Sequence, residues 1–314
     1  NGQTIGVTFA VLPASGERKG MFVTVTGGPG SSGLAAADGY TAAFDPSIPE
    51  HFDIVFFDQR GVGASGGLQC TQAAADYYRT GMDPWTTDGE VLLAGEASAF
   101  AAACTAEMGH TGWLPYLGTD QAIEDLELFR QAIGDEQFWL YGESYGTQFA
   151  QTYAAAYPQN LAGLILDGPV DLTLSGTEYL AEQAAAFNDV LLMTLAACNA
   201  DEDCVADMGM DAVAAYDSLA ARLRQAPVSF QFPLPEGGTA SREFTFNDLE
   251  SAAAGSLYGE GGRMILLRAL AATGRDDFVP LARILYQELS LDPGTELPIP
   301  DPTFSDAMYY AVEC

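Results

Sequence analysis

Residues 138–157 constrain this chain more than any other stretch. Phe138-Trp139-Leu140-Tyr141 is an apolar, β-prone run, Gly142-Glu143-Ser144-Tyr145-Gly146 follows it, and residues 148–157 read as a helix stopped by Pro158. A serine with glycines two positions to either side, set between a strand and a helix, fits a sharp turn. In such a turn the serine backbone is strained and the glycines admit close approach of neighbouring chain. The hydroxyl is then exposed at the carboxyl edge of a sheet, on a helix N-terminus that favours negative charge. Ser144 is therefore the candidate nucleophile.

The rest of the first 170 residues repeats this alternation. Residues 7–12, 21–26, 52–57 and 161–166 are further strand candidates, and the run Phe52-Asp53-Ile54-Val55-Phe56-Phe57 is almost wholly apolar. Continuous apolar strands belong to parallel sheets covered on both faces. Ile123, Leu126, Phe129 and Ile133 recur at helical spacing, with Gly134 as the stop. Strand, helix, strand, turn, helix, strand is the doubly wound α/β pattern. From residue 171 the texture becomes helical, over 180–197, 211–225, 247–256, 263–273 and 278–289. Residues 228–232 are a weak strand candidate, and 232–238 and 291–302 are Pro- and Gly-rich loops. The expected division is a sheet-bearing core over 1–170 and a helical lid over 171–314.

Composition excludes several partners. The chain carries 43 acidic against 12 basic residues, a net charge of −31, and Lys19 is its only lysine. Such a surface repels phosphate backbones and anionic headgroups, which argues against nucleic acid and membrane partners. Solubility is its main consequence, and its field also attracts cations such as a free α-amino group. No run approaches the ~18 apolar residues of a membrane-spanning helix. Five cysteines and two histidines show no paired metal-ligand spacing, so no metal is expected. Cys198 and Cys204 bracket a short polar loop that a disulfide would staple, and Cys70 and Cys104 flank a helical insert that a second would close. Two disulfides imply an exported protein, whose leader would have been removed before Asn1; the alternative is buried free thiols.

A serine nucleophile of this kind uses two backbone N–H groups aimed at the developing oxyanion. One belongs to the residue after it, Tyr145; the other comes from a glycine-rich loop after an early strand. Gly27-Gly28-Pro29-Gly30-Ser31-Ser32-Gly33 is that loop, with Gly28 the candidate donor and Gly27 the second choice. It lacks the Gly-Lys-Ser/Thr ending of a phosphate-binding loop. Asp58-Gln59-Arg60-Gly61-Val62-Gly63-Ala64-Ser65 is a tight turn in which Arg60 is expected to give structural support; the alternative is that it orients the oxyanion loop or pairs with a buried carboxylate. The chemistry calls for no cofactor.

Gly27-Gly28-Pro29-Gly30, Asp58-Gln59-Arg60-Gly61-x-Gly63-x-Ser65 and Gly142-x-Ser144-Tyr145-Gly146-Thr147, in this order and spacing, resemble the proline iminopeptidase and tripeptidyl aminopeptidase family of α/β-hydrolases. The secreted tripeptidyl aminopeptidase branch is the nearer likeness. It is similar also in Leu166-Asp167-Gly168-Pro169-Val170 and in a lid bearing a pair like Cys198 and Cys204. The family usually has His before the Gly-Gly-Pro-Gly run; this chain has no histidine there. The resemblance implies an α/β-hydrolase fold with an inserted helical lid. It also implies a serine exopeptidase that releases short N-terminal peptides or amino acids through an acyl-enzyme on Ser144. Its substrate would be a peptide with a free N-terminus, whose ammonium calls for a carboxylate: Glu143, Glu178 or Glu182. An esterase of small acyl esters, or a non-catalytic binding protein on the same fold, are the alternatives.

The base is the missing part. In this fold the order is Ser, then Asp or Glu, then His, whereas His51 and His110 both precede Ser144. Nothing after residue 171 resembles the strands on which the family carries its acid and its histidine, and Ala311-Val312-Glu313-Cys314 looks like the family's junction just past the lid. The expectation is that these residues are the N-terminal part of a larger catalytic unit whose C-terminal strands lie outside this chain. Cys314 would pair with a cysteine of that segment, and the 314 residues alone would be neither stable nor active.

Overall fold

The computed structural model describes residues 4–80 and 86–313. Cys314 lies outside the described residues. The strands are β1 (Phe9–Leu12), β2 (Gly20–Val25), β3 (Phe52–Phe57), β4 (Phe138–Glu143), β5 (Leu161–Asp167), β6 (Val228–Pro233) and β7 (Thr239–Phe244). The helices, in chain order, begin with α1 (Ala37–Ala43), α2 (Ser47–His51), α3 (Thr71–Tyr78), α4 (Thr87–Met108), α5 (Thr119–Ile133) and α6 (Tyr145–Ala156). They continue with α7 (Gly176–Asn199), α8 (Glu202–Met208), α9 (Ala212–Gln225), α10 (Phe246–Ser256), α11 (Glu260–Thr273), α12 (Val279–Glu288) and α13 (Asp306–Glu313).

Two compact units result. The first comprises 1–71, 102–173 and 300–314, and the second 72–101 and 174–299. This departs from a division at residue 170 in two places. Residues 72–101 join the second unit, where Ala75 enters its core. Residues 300–314 return to the first unit, where Ala307 and Met308 are buried and Ser305 is wholly enclosed.

The first unit is a five-stranded sheet in the order β1-β3-β2-β4-β5, with β1 antiparallel and the other four parallel. The period of two in a strand sorts β3 between two cores. Val55 and Phe57 pack with Met21, Val23, Leu126, Leu140, Phe149 and Tyr153 under α5 and α6. Ile54 and Phe56 face the other way, onto Tyr40 and Phe44 of the α1 region. Burial of both faces is why these strands read as unbroken apolar runs.

Glu127 makes the α5–α6 contact polar at its centre. This carboxylate is 5% exposed. It accepts bonds from Arg130 Nη2 (2.7 Å) and Nε (2.9 Å), Gln131 Nε2 (2.7 Å), the Tyr153 hydroxyl (2.8 Å) and Asn160 Nδ2 (3.0 Å). The Arg130 guanidinium, outweighing burial, pushes the Glu127 pKa down to about 2. A folded pKa below the unfolded value means the stabilisation is complete above about pH 4.5 and is lost as pH falls towards 2. Glu127→Gln leaves Arg130 without its counter-charge and is expected to cost about 3 kcal/mol at pH 7. Denaturant titrations of the full-length protein check this: the gap between wild type and variant should narrow steadily between pH 5 and pH 2.

α4 modifies the reading of membrane-crossing potential. By length and composition it is apolar enough to cross a membrane, and little of it is buried. Val91, Leu92 and Leu93 and the alanines that follow them supply that character, interrupted by Gly95, Glu96 and Ser98, so a search for one unbroken apolar run passes over it. Asp88, Glu90, Glu96 and Glu107 also lie on it, and Cys104 fastens its C-terminal part to Cys70 in a disulfide. Both half-cystines are buried.

The second unit packs α7 to α12 and a hairpin around one apolar cluster that includes Leu219, Phe232, Phe244, Leu266, Phe278 and Leu285. The expected loop after residue 232 is the turn of this hairpin, residues 234–238, and the strand that follows it is what the sequence pattern does not mark. β6 runs to Pro233 and pairs antiparallel with β7, from Val228↔Phe244 to Pro233↔Thr239. Gly237 and Gly238 supply the left-handed backbone of its turn. β7 escaped notice because Thr239-Ala240-Ser241-Arg242-Glu243 carries little apolar content; only Phe244 reaches the core. Cys198 and Cys204 form the second disulfide, closing α7 against α8.

Candidate active site

The serine turn has the strained geometry its residues imply. Ser144 stands at φ 54°, ψ −123°, between the end of β4 and the start of α6. It is one of four non-glycine residues at positive φ among the described residues. This conformation costs on the order of 1–3 kcal/mol, and its neighbours hold it. Ser144 N donates to Asp167 O (2.8 Å), and the Thr147 hydroxyl donates to Ser144 O (2.7 Å). Val170 N donates back to Thr147 Oγ1 (2.8 Å), and Gln151 Nε2 to Val170 O (2.9 Å), so the chain after β5 braces the turn. A serine before a helix ordinarily caps it through its side chain. Ser144 makes no such bond and is exposed, which leaves the hydroxyl free.

Both flanking glycines are required by contact. A Cβ on Gly142 would lie 2.2 Å from Gly146 O, and one on Gly146 would lie 2.2 Å from Val25 O. Gly27 lies close against Ser144: a Cβ there would stand 2.9 Å from Ser144 Cβ and 3.4 Å from its Oγ. The loop 27–33 therefore lies against the serine. Gly28 follows at φ 112°, and its bond to Pro29 is cis. Of the two candidate donors in this loop, Gly27 is the one whose missing side chain would meet Ser144; a Cβ on Gly28 would meet Gly30 N and Ser31 N instead. Tyr145 is the first residue of α6, so its N–H has no partner within the helix. Its buried ring is fixed by a 2.8 Å bond between its hydroxyl and Thr119 Oγ1, and burial pushes its pKa up to about 12.

Asp58 organises the loop, a role the sequence reading did not assign. Its carboxylate, 1% exposed, accepts from the Ser32 hydroxyl (2.6 Å), Leu34 N (3.1 Å) and Ala64 N (2.8 Å). The signal is in the sequence, since Asp58 opens the glycine-rich motif that contains Arg60. Arg60 pairs with a carboxylate: it binds both oxygens of Asp125, at 2.8 and 2.7 Å, and donates to Tyr116 O at 2.8 Å.

The three acidic candidates separate. Glu143 is next to Ser144, exposed, and accepts the Tyr40 hydroxyl at 2.5 Å. Strand register sets it opposite Asp167, which accepts the Tyr141 hydroxyl at 2.8 Å. Burial and these carboxylates push both tyrosine pKa values up. Glu178 belongs to the second unit, where it forms a capping box with Ser175 at the start of α7; those bonds lower its pKa. Glu182 is exposed on the same helix.

Neither histidine is joined to Ser144. His51 sits at the start of β3, the end opposite the serine edge, with Nδ1 3.2 Å from Glu17 O. His110 stacks on Trp113 with ring centroids 4.7 Å apart.

Residues 20–207 match the family model described as alpha/beta hydrolase fold. The chain is 33% identical over 225 residues to "Serine protease Hip1" of Mycobacterium tuberculosis (strain H37Rv), covering 70% of this chain and 43% of that protein. It is 29% identical over 177 residues to "Tripeptidyl aminopeptidase" of Streptomyces lividans, covering 54% and 33%. It is 31% identical over 186 residues to "Carboxylesterase B" of Mycobacterium tuberculosis (strain CDC 1551), covering 57% and 36%. The chain thus spans less than half the length of these relatives. With the parallel sheet, the strained serine turn and the match over more than half its length, the chain belongs to the alpha/beta hydrolase fold family.

Proposed function

We propose that Ser144 is the nucleophile of a serine exopeptidase that releases short N-terminal peptides or amino acids from peptides with a free N-terminus. The observation that carries this reading is the unbonded Ser144 hydroxyl, held at strained angles on the N-terminus of α6 and against Gly27. In the proposed reaction Ser144 Oγ attacks the carbonyl of the scissile bond. The N–H of Tyr145 and one from the loop, Gly28 or Gly27, take the charge of the tetrahedral intermediate. The amine leaves, and water releases the acyl group. The acid and the histidine base come from residues outside these 314, since His51 and His110 are engaged elsewhere. The open edge of the sheet supports such a completion: on β5, Leu164 and Ile165 are 38% and 37% exposed, and an apolar edge strand invites a further strand. Cys314 would link to that segment, and the second unit would serve as a lid. Two disulfides support an exported, extracytoplasmic protein.

Glu143 is the proposed partner of the substrate ammonium, because Glu178 spends its carboxylate on a helix cap while Glu143 adjoins the nucleophile. A charge-assisted bond of this kind is worth about 1.5–3 kcal/mol. Glu143→Gln in the full-length protein is expected to raise KM for tripeptidyl and amino-acyl amides by about 10- to 100-fold. N-terminally blocked substrates should be unaffected, and equal losses on both would contradict the assignment.

A second reading, an esterase of small acyl esters, is favoured by the likeness to "Carboxylesterase B". Comparing free and blocked peptide amides with simple esters decides between them, since a preference for free N-termini selects the exopeptidase. A binding protein without catalysis would leave Ser144 inert to a fluorophosphonate.

A further inference from the structure

The loop 27–33 carries four of the chain's glycines, and a glycine-rich segment has little stiffness of its own. An oxyanion donor must nevertheless be held within a few tenths of an ångström, about 3 Å from the position of the developing charge. Within the first unit, part of that constraint comes from more than 270 positions further along the chain. Ser32 N donates to Thr303 O (2.8 Å), and Ser305 N donates to Gly30 O (2.9 Å). These bonds frame an antiparallel bridge between Ser31 and Phe304.

The approach is closer than any side chain would permit. Gly30 stands at φ 107°, and a Cβ on it would lie 2.5 Å from Ser305 O. Ser305 itself is fully buried and doubly tied. Its hydroxyl donates to Leu68 O (2.5 Å) and accepts from Met308 N (3.0 Å), capping the first turns of α13. Gln69 Nε2 donates to the carbonyls of Asp301 (3.2 Å) and Phe304 (2.8 Å), and Met308 packs on Gly61. The segment is thereby anchored to the turn that follows Asp58, whose carboxylate holds the same loop through Ser32 and Leu34.

We propose that residues 303–305 are a positioning strap for the oxyanion loop, anchored by the buried Ser305 hydroxyl. The proposal rests on the reading of Ser144 as nucleophile and of 27–33 as the source of an oxyanion donor. The strap touches no reacting atom; it fixes the main chain that does. The segment bonds to the main chain of the loop, so substitutions there bear on the chemical step rather than on substrate affinity.

The test uses the full-length protein, with active sites counted by a fluorophosphonate so that folded fraction is divided out. Substrate turnover and affinity for a peptide boronate, which forms a tetrahedral oxyanion-like adduct on the serine, are measured side by side. Ser305→Ala is expected to lower kcat per titrated site by about 10-fold or more, with boronate affinity falling by a similar factor and KM within about twofold. Gly30→Ala is expected to exceed that loss. Ser305→Cys, which keeps a weak donor of similar size, is expected to fall between wild type and alanine and serves if alanine does not fold. Unchanged kcat per site and unchanged boronate affinity, or a rise in KM alone, would overturn the strap. A wild-type protein that takes no fluorophosphonate would overturn the nucleophile reading and the strap with it.

Discussion

Ser144→Ala in the full-length protein is expected to lower kcat by roughly 10⁴- to 10⁶-fold while leaving the fold intact. Alanine keeps the Cβ that packs against Gly27 and adopts the same backbone, so the bonds from Ser144 N to Asp167 and from Thr147 to Ser144 O persist. The hydroxyl itself bonds to nothing among the described residues and caps no helix, so its removal costs no structural interaction. Thermal unfolding should therefore coincide with wild type to within a few degrees. Loss of activity accompanied by unfolding would mean that the serine is structural. Appreciable residual hydrolysis would mean that another group attacks.

Gly146→Ala is expected to act in the opposite way, by destroying the fold around the site. Helix propensity alone predicts a gain of about 1 kcal/mol for this change, since Gly146 is the second residue of α6. Contact opposes it more strongly. The new Cβ would lie 2.2 Å from Val25 O and 3.0 Å from Thr26 O. Both are main-chain atoms at the end of a central strand buried on either side, with no rotamer to change. Separating α6 from β2 disturbs the packing of Phe149 and Tyr153 on Val25 and Leu140. Overpacking costs typically about 1–3 kcal/mol, and an unyielding backbone puts this case at ~3–5 kcal/mol net. That is a large part of the ~5–15 kcal/mol by which a domain is stable. The check is the soluble yield and unfolding midpoint of the variant beside those of Ser144→Ala. A variant as stable as wild type would contradict the close approach of α6 to β2.

The sheet and the serine turn were legible because local and long-range signals agree there. The double burial of β3 makes it apolar at every position from Ile54 to Phe57, and the glycines at 142 and 146 answer contacts that only their positions dictate. β7 was not legible, because a two-stranded ribbon buries one residue in two and Arg242 takes an inward position beside Glu296. The assignment of 72–101 and 300–314 between units was hidden for another reason. It depends on contacts such as Ser32 with Thr303, which lie far apart in sequence and leave no periodic mark. Asp58 shows a third limit: an aspartate in a glycine-rich turn reads as turn chemistry, and only the fold reveals that its oxygens hold Ser32 and Leu34. Among the acidic candidates, capping chemistry was written in Ser175-x-x-Glu178, a signature that sets Glu178 apart from Glu143 before any substrate is considered.

The most direct test of the central claim is to react the full-length protein with a fluorophosphonate and map the adduct by peptide mass spectrometry. A single phosphonylated serine at position 144, absent from Ser144→Ala and formed in step with loss of activity, is the expected result. An adduct on another serine, or full inactivation with Ser144 unmodified, would contradict it.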